Sequence, residues 1–231
     1  VWILDGASGG LLGVVDSGVS SVEDGQHSPG TAPYVSTAAP MSLDAARHRV
    51  FVANGLGGLS VLDGVTGAIA VPWPFAAASG IAVDAADRVL VDQPGKQSLT
   101  VLDGHRGRVL ATVTADWVPS ALAVDEVTRR VYVADVAASR LVVLDGDTYA
   151  ILSTVALHHT PGAVAVQPRT HRVYVADPIG GGVSVVDGAR AAVVATIPVG
   201  RAPSGLAVNP VTDHLFVANA DDDTVSIVDV G

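Results

Sequence analysis

A period of about 42 residues runs through this chain and limits what it can fold into more than any other feature. An apolar run closed by Asp, usually followed by Gly, recurs at Leu62-Asp63-Gly64, Leu102-Asp103-Gly104, Leu144-Asp145-Gly146, Val186-Asp187-Gly188 and Val228-Asp229. The steps from Asp63 are 40, 42, 42 and 42 residues. Two further landmarks keep the same period. Asp84, Asp125, Gln167 and Asn209 each follow a small apolar pair, and Phe51-Val52-Ala53-Asn54 returns as Tyr132 to Asp135, Tyr174 to Asp177 and Phe216 to Asn219. A period of this length means a stack of supersecondary units, none of which can bury its own apolar surface alone. Val1 to Asp5 opens the chain with the same pattern. The step from Asp5 to Asp63 is 58 residues, so extra sequence is inserted there.

Each unit resolves into four short strands. The second reads Arg-Val-Tyr-Val-Ala-Asp, with the β-branched and aromatic content and near alternation of a strand. The third, for example Leu141 to Leu144, runs into Asp-Gly, where the carboxylate accepts local N–H groups and Gly is expected to take positive φ. The first carries small pairs such as Ala123-Val124 and Ala165-Val166, with Pro119, Pro161 and Pro203 before it, where no ladder N–H is needed. Four strands per unit, radially repeated, predict an all-β fold: a β-propeller of four-stranded blades. Blades are expected at 39–72, 80–113, 120–155 and 162–197, with three strands of a fifth at 204–229. The second unit departs from the pattern, and Gln93-Pro94-Gly95 is expected to disrupt its second strand. A propeller closes when one terminus completes a blade begun by the other. Residues 1–15 are the candidate closing strands, Leu11 to Val15 beside the last blade, after which 16–38 forms a long loop. Five blades in one domain, 1–231, is the favoured reading, and a piece of a six- or seven-bladed ring is the alternative.

Composition removes several chemistries. The chain has no Cys, which excludes thiol nucleophiles, thiolate metal sites and disulfides. Its net charge of −10 opposes a nucleic-acid footprint, which needs clustered Lys and Arg. No apolar run is long enough to span a bilayer as a helix. The serines lack a nucleophile-elbow context, and Gly180-Gly181-Gly182 precedes no helix that could hold a phosphate. No catalytic constellation emerges.

The stretch Val173 to Asp177, then Val183 to Asp187, then Val193 to Gly200 resembles the YVTN-type β-propeller repeat of bacterial and archaeal extracytoplasmic proteins. The resemblance covers residues 39 to 231. It implies a periplasmic, secreted or cell-surface location and a domain that presents loops to a protein, glycan or small-molecule ligand. The opening segment, Val1 to Gly18, is distantly similar to the heavy-chain propellers of quinoprotein amine dehydrogenases. The alternative these likenesses imply is an enzyme-associated propeller. One form is a lactonase-like hydrolase with a divalent cation in the axial funnel, and the other is a dehydrogenase subunit whose partner carries the cofactor.

The turn ends and the loop ends of the blades read differently. Asp63, Asp103, Asp145, Asp187, Asp44, Asp84 and Asp125 fall at turns and read as acceptors of local backbone N–H groups. His48, His105, His171 and His214 read as solvated turn residues without metal-ligand spacing. On the loop end, alignment on the prolines puts Trp117, His159 and Arg201 in one register position, with Asp116 and His158 just before the first two. If equivalent loops lie on a circle, these form a rim. Trp would stack a sugar or a cation, His would titrate near neutrality, and Arg would fork onto a carboxylate, so an anionic or glycan-like ligand is expected. Asp135, Asp177, Asn54 and Asn219 end the second strands, with Asp92 roughly equivalent, and Asp221-Asp222-Asp223 lies in the last loop. These cap turns, or Asp92, Asp135, Asp177 and Asp221 offer oxygen ligands to a divalent cation. No other cofactor is expected. Glu23, Asp24, His27 and Tyr34 sit in the long loop.

Overall fold

A computed structural model describes residues 2–4, 11–14, 40–53, 58–73 and 78–231. The fold is an all-β propeller of four-stranded antiparallel blades. Among the described residues the helical turns are two 3-10 turns, Ala45–Arg47 and Pro94–Lys96. The chain divides into two compact units, Val1–Ala78 and Ser79–Gly231. The first holds a hairpin, β1 (Trp2–Leu4) with β2 (Leu11–Val14), and one blade, β3 (Met41–Asp44), β4 (Arg49–Ala53), β5 (Leu59–Asp63) and β6 (Ile69–Trp73).

The second unit carries three full blades: β7 (Ile81–Val83), β8 (Arg88–Gln93), β9 (Ser98–Asp103) and β10 (Val109–Thr114); β11 (Pro119–Asp125), β12 (Arg130–Asp135), β13 (Arg140–Asp145) and β14 (Ile151–Ala156); β15 (Val164–Gln167), β16 (Arg172–Asp177), β17 (Gly182–Asp187) and β18 (Ala192–Pro198). A three-stranded sheet follows, β19 (Pro203–Asn209), β20 (His214–Asn219) and β21 (Thr224–Asp229). Strands follow chain order within every sheet. The four expected blades and the three-stranded fifth match these boundaries closely. The last sheet pairs β19, β20 and β21, and β1 pairs with β2 in a hairpin of the first unit. The long loop, with Glu23, Asp24, His27 and Tyr34, lies outside the described residues, as does Asn54.

Gln93-Pro94-Gly95 does not interrupt a strand. The ladder between β8 and β9 runs unbroken from Arg88 opposite Asp103 to Gln93 opposite Ser98. Proline enters only after the last pair, in the 3-10 turn, where its missing N–H costs nothing. This register makes Gln93, not Asp92, the counterpart of Asp135, which pairs with Arg140 at the same end of β12. Asp92 occupies the place of Ala134 and faces the neighbouring blade.

Strand pleating gives a blade two apolar faces, and within the second unit facing blades bury them against each other. One core joins Leu90, Leu99 and Val101 of one blade to Leu122, Val131, Val133, Val142 and Leu144 of the next. The next joins Tyr132, Leu141 and Val143 to Val173, Val175 and Val186, and a third joins Tyr174, Val183 and Val185 to Leu215 and Val217. Burying each such aliphatic side chain stabilises by about 1.5–3 kcal/mol. Neighbouring first strands touch in sequence, β7 to β11 to β15 to β19, and the small Ala82, Ala123, Ala165 and Ala207 make that approach possible.

The Asp-Gly turns work differently from the sequence expectation. Each Asp does accept local donors: Asp145 takes the N–H groups of Asp147 (3.0 Å) and Thr148 (2.7 Å), and Asp63, Asp103 and Asp187 do the same. Backbone donors, first Thr66 for Asp63, Arg106 for Asp103, Thr148 for Asp145 and Arg190 for Asp187, hold all four carboxyls below the usual range. The left-handed residue, however, is the fourth after Asp, at Gly67, Gly107, Tyr149 and Ala191, with φ of 72°, 68°, 59° and 51°. The Gly after Asp is needed for a close approach instead. Its N–H donates to the carbonyl of the left-handed residue that closes the first turn of its blade, as in Gly146 to Arg129 (2.7 Å) and Gly104 to Asp87 (2.7 Å). A Cβ at Gly104, Gly146 or Gly188 would lie 2.6–2.7 Å from that carbonyl oxygen. The two turns at one end of each blade are thereby clamped together.

Polar straps also cross between blades at this end. His171 Nδ1 lies 2.9 Å from the fully buried Asp125 of the preceding blade, so His171 is a strap and not the solvated turn residue expected. At the next interface Gln167 Nε2 donates to Asp213 at 2.9 Å. Gly146→Ala should therefore cost about 2–3 kcal/mol in urea unfolding, because a backbone carbonyl must move. Gly181→Ala, whose penalty is its φ of 68° with the Gly200 carbonyl oxygen at an ordinary 3.6 Å, should cost about 1 kcal/mol. Equal losses would show that the close approach does not hold the turn.

Candidate functional site

In the second unit the loop end is made by the connections 94–97, 136–139, 178–181 and 220–223, and by the interblade loops 115–118, 157–163 and 199–202. The three rim residues share a register position, yet their loops do not share a backbone path. His158 is left-handed in one loop (φ 62°) and Ala202 in another (φ 49°), while no residue of 115–118 is. The side chains diverge accordingly.

Trp117 turns into the protein. It is 1% exposed, packs with Leu90, Leu99 and Leu122, and donates its indole N–H to the Gln97 carbonyl at 2.8 Å. The expected stacking platform is thus a core residue. An indole with its one donor satisfied gains more from burial than from display. His159 is largely buried, with its side chain 13% exposed. Its Nε2 lies 2.8 Å from Ser184 Oγ, and its Nδ1 lies 3.3 Å from the Thr160 carbonyl and 4.0 Å from Asp177 Oδ1.

These are the residue types of a hydrolytic triad, but not its geometry. Ser184 is 3% exposed, and 4.0 Å is too long for an orienting hydrogen bond. Asp177 Oδ1 is committed to the N–H groups of Ile179 (3.1 Å) and Gly180 (2.8 Å). The arrangement anchors the loop.

Arg201 is the rim residue that faces solvent, with 75% of its side chain exposed. It is held in place: Nε donates to Asp222 at 2.6 Å, Nη2 donates to the Asp221 carbonyl at 3.1 Å, and its backbone N–H donates to Asp222 at 2.6 Å. That N–H and the guanidinium hold the Asp222 carboxyl below its ordinary range, and the carboxylate in turn raises the Arg201 guanidinium. Nη1 is left to solvent. Asp116 and His158, which precede Trp117 and His159, are exposed, and the Asp116 carbonyl accepts from Arg140 Nη2 at 2.8 Å. Asp222 and Arg140 were not singled out from sequence. Asp222 was one of three consecutive aspartates, and nothing local marks which of them turns toward Arg201.

The four carboxylates considered for a cation are each engaged separately. Asp135 is fully buried and accepts the Val118 and Ala137 N–H groups on one oxygen and Arg140 Nε (2.8 Å) on the other. Asp177 closes its own loop, and Asp221 is exposed. Asp92 faces the interior. Its Oδ1 accepts the N–H groups of Ser79 (2.8 Å) and Gly80 (2.6 Å) and the Ser79 hydroxyl (2.9 Å), whereas its Oδ2 is buried without a hydrogen bond. Among the described residues no three His, Asp or Glu side chains converge to hold a metal ion. Asp92, Asp135 and Asp177 thus tie loops to strands through their own local partners, and Asp221 stands apart from them at the surface.

No family model matches this chain, and no curated protein does. Among solved structures it is similar to Kuenenia stuttgartiensis Hydrazine Synthase, with a TM-score of 0.67 and 16% sequence identity. The match covers 83% of this chain and 58% of that one, so this chain spans little more than half the length of its structural relative. At that identity the likeness speaks for the propeller fold alone.

Burial pushes the Asp92 carboxyl up to about 6. A carboxyl raised on folding stabilises the folded state below its unfolded value, near 3.8, and that contribution is lost as pH rises through about 6. Asp92→Asn keeps an acceptor for Ser79 and Gly80 without the charge. Between pH 4 and pH 7 the stability of the natural protein should fall by about 2 kcal/mol relative to this variant. A stability difference that stays constant across that range, in urea melts, would show that Asp92 titrates normally.

Proposed function

We propose that this chain is a non-catalytic binding or scaffold propeller of an extracytoplasmic protein, which offers its loop end to a protein, glycan or small anionic ligand. The observation that carries this reading is Arg201. Its guanidinium is largely exposed yet fixed in direction by Asp222 and the Asp221 carbonyl, so it presents a pre-oriented donor edge at little entropic cost. His158 and Asp116, exposed on neighbouring interblade loops, supply further polar contacts. His159 serves as a support for its loop and Trp117 as core. The non-catalytic part of the reading is supported by Ser184, since a nucleophile needs access that this buried hydroxyl lacks. The extracytoplasmic part rests on the resemblance of the repeats to the YVTN type.

A screen of immobilised glycans, small carboxylates and extracellular protein fractions tests this reading. The natural protein should retain a ligand that the Arg201→Ala/His158→Ala double variant binds at least about tenfold more weakly. Equal retention by both proteins would remove the loop end of this unit from consideration.

A further inference from the structure

A second candidate site lies at the opposite end of the sheets, between the blade β7–β10 and the blade β11–β14. There a cleft of about 220 Å³ has walls from Val124, Val131 and Gly146 and a rim of Asp84, Arg88 and Arg129. The repeat itself explains why the cleft exists. Leu90 sits opposite Ala82 and Val101, the place that Tyr132 fills opposite Ala123 and Val143, and Tyr174 opposite Ala165 and Val185. Tyr132 reaches across to the next blade, where a Cβ on Gly188 would collide with its hydroxyl. Gly146 is the counterpart of Gly188, each following the Asp that ends a third strand. The three atoms nearest a Cβ on Gly146 all belong to the Arg129 backbone, so no tyrosine ring arrives there. The space that holds a phenol at one interface is open at the other.

The rim gives this space a chemistry. Arg88 Nε pairs with Asp84 at 2.6 Å, and the guanidinium lies over the Tyr149 ring at 5.6 Å. Asp147, half exposed, bridges Arg129 at 2.8 Å and Arg88 at 3.8 Å. A hydroxyl at this mouth meets a carboxylate that accepts from it and guanidinium groups that donate to it. Deeper in, Val131 is 1% exposed, so the wall is apolar. An apolar cavity of about 150 Å³ already suffices for benzene.

We propose that this cleft binds a hydroxyaryl ring, seated between Val124 and Val131 with its hydroxyl toward Arg88 and Asp84. This site is independent of the loop-end reading, because it uses none of the same residues.

The probe is 4-methylphenol, titrated into the ¹⁵N-labelled protein. Saturable shifts are expected at the Val124, Val131 and Gly146 amides, and toluene, which lacks the hydroxyl, should bind at least about tenfold more weakly. Leu90→Tyr should fill the space and abolish the shifts. Val124→Phe, which fills it from the other wall, serves the same purpose if the first variant does not fold. Non-saturable shifts, binding that survives the filling substitution, or toluene binding equal to 4-methylphenol would each overturn the proposal.

Discussion

A blade of this chain is apolar on both faces, and a sheet four strands wide cannot bury either face within itself. That constraint organises the second unit. Every third-strand core residue with a blade beyond it is sealed, as with Leu141 and Val183, both 0% exposed. The corresponding Val225 and Ile227 of the last sheet are 60% and 63% exposed. The same sequence pattern is therefore sealed in one sheet and exposed in another.

Because aliphatic contacts are non-directional, they do not set the angle at which blades meet. Direction comes from the turn end. The bond from the residue after each third-strand Asp, Gly in the four full blades and Val230 in the last sheet, to the preceding left-handed carbonyl fixes the shape of each blade's base. The pairs Asp125–His171 and Gln167–Asp213 then fix one base against the next. Where Leu90 replaces the aromatic residue, the clamp persists and the cleft opens beside it. A repeat tolerates such a gap because the neighbouring straps do not depend on that side chain.

Equivalence in register did not give equivalence in space on the loop end. Trp117, His159 and Arg201 align to the residue, but their loops are short and unpaired. Each side chain went to the best local partner: a backbone carbonyl and apolar neighbours for Trp117, a buried hydroxyl for His159, and a carboxylate for Arg201. Strand positions behave oppositely. The paired ladders leave a residue such as Tyr132 or Tyr174 no choice of face.

The sequence by itself determined the strands, their order within each blade, the unit boundaries and the carboxylate turns, because these depend on period-two alternation and on hydrogen bonds reaching two to four residues along the chain. It did not show that Asp92 faces inward, because that rests on a one-residue shift visible only in the pairing of β8 with β9. Nor did it show that Trp117 is core, that Asp222 rather than Asp221 or Asp223 grips Arg201, or that His171 reaches Asp125. Those outcomes belong to tertiary structure. For Trp117, Asp222 and His171 the deciding partner lies twenty or more residues away, and a local pattern contains no information about which of several suitable partners the folded chain brings within hydrogen-bonding distance.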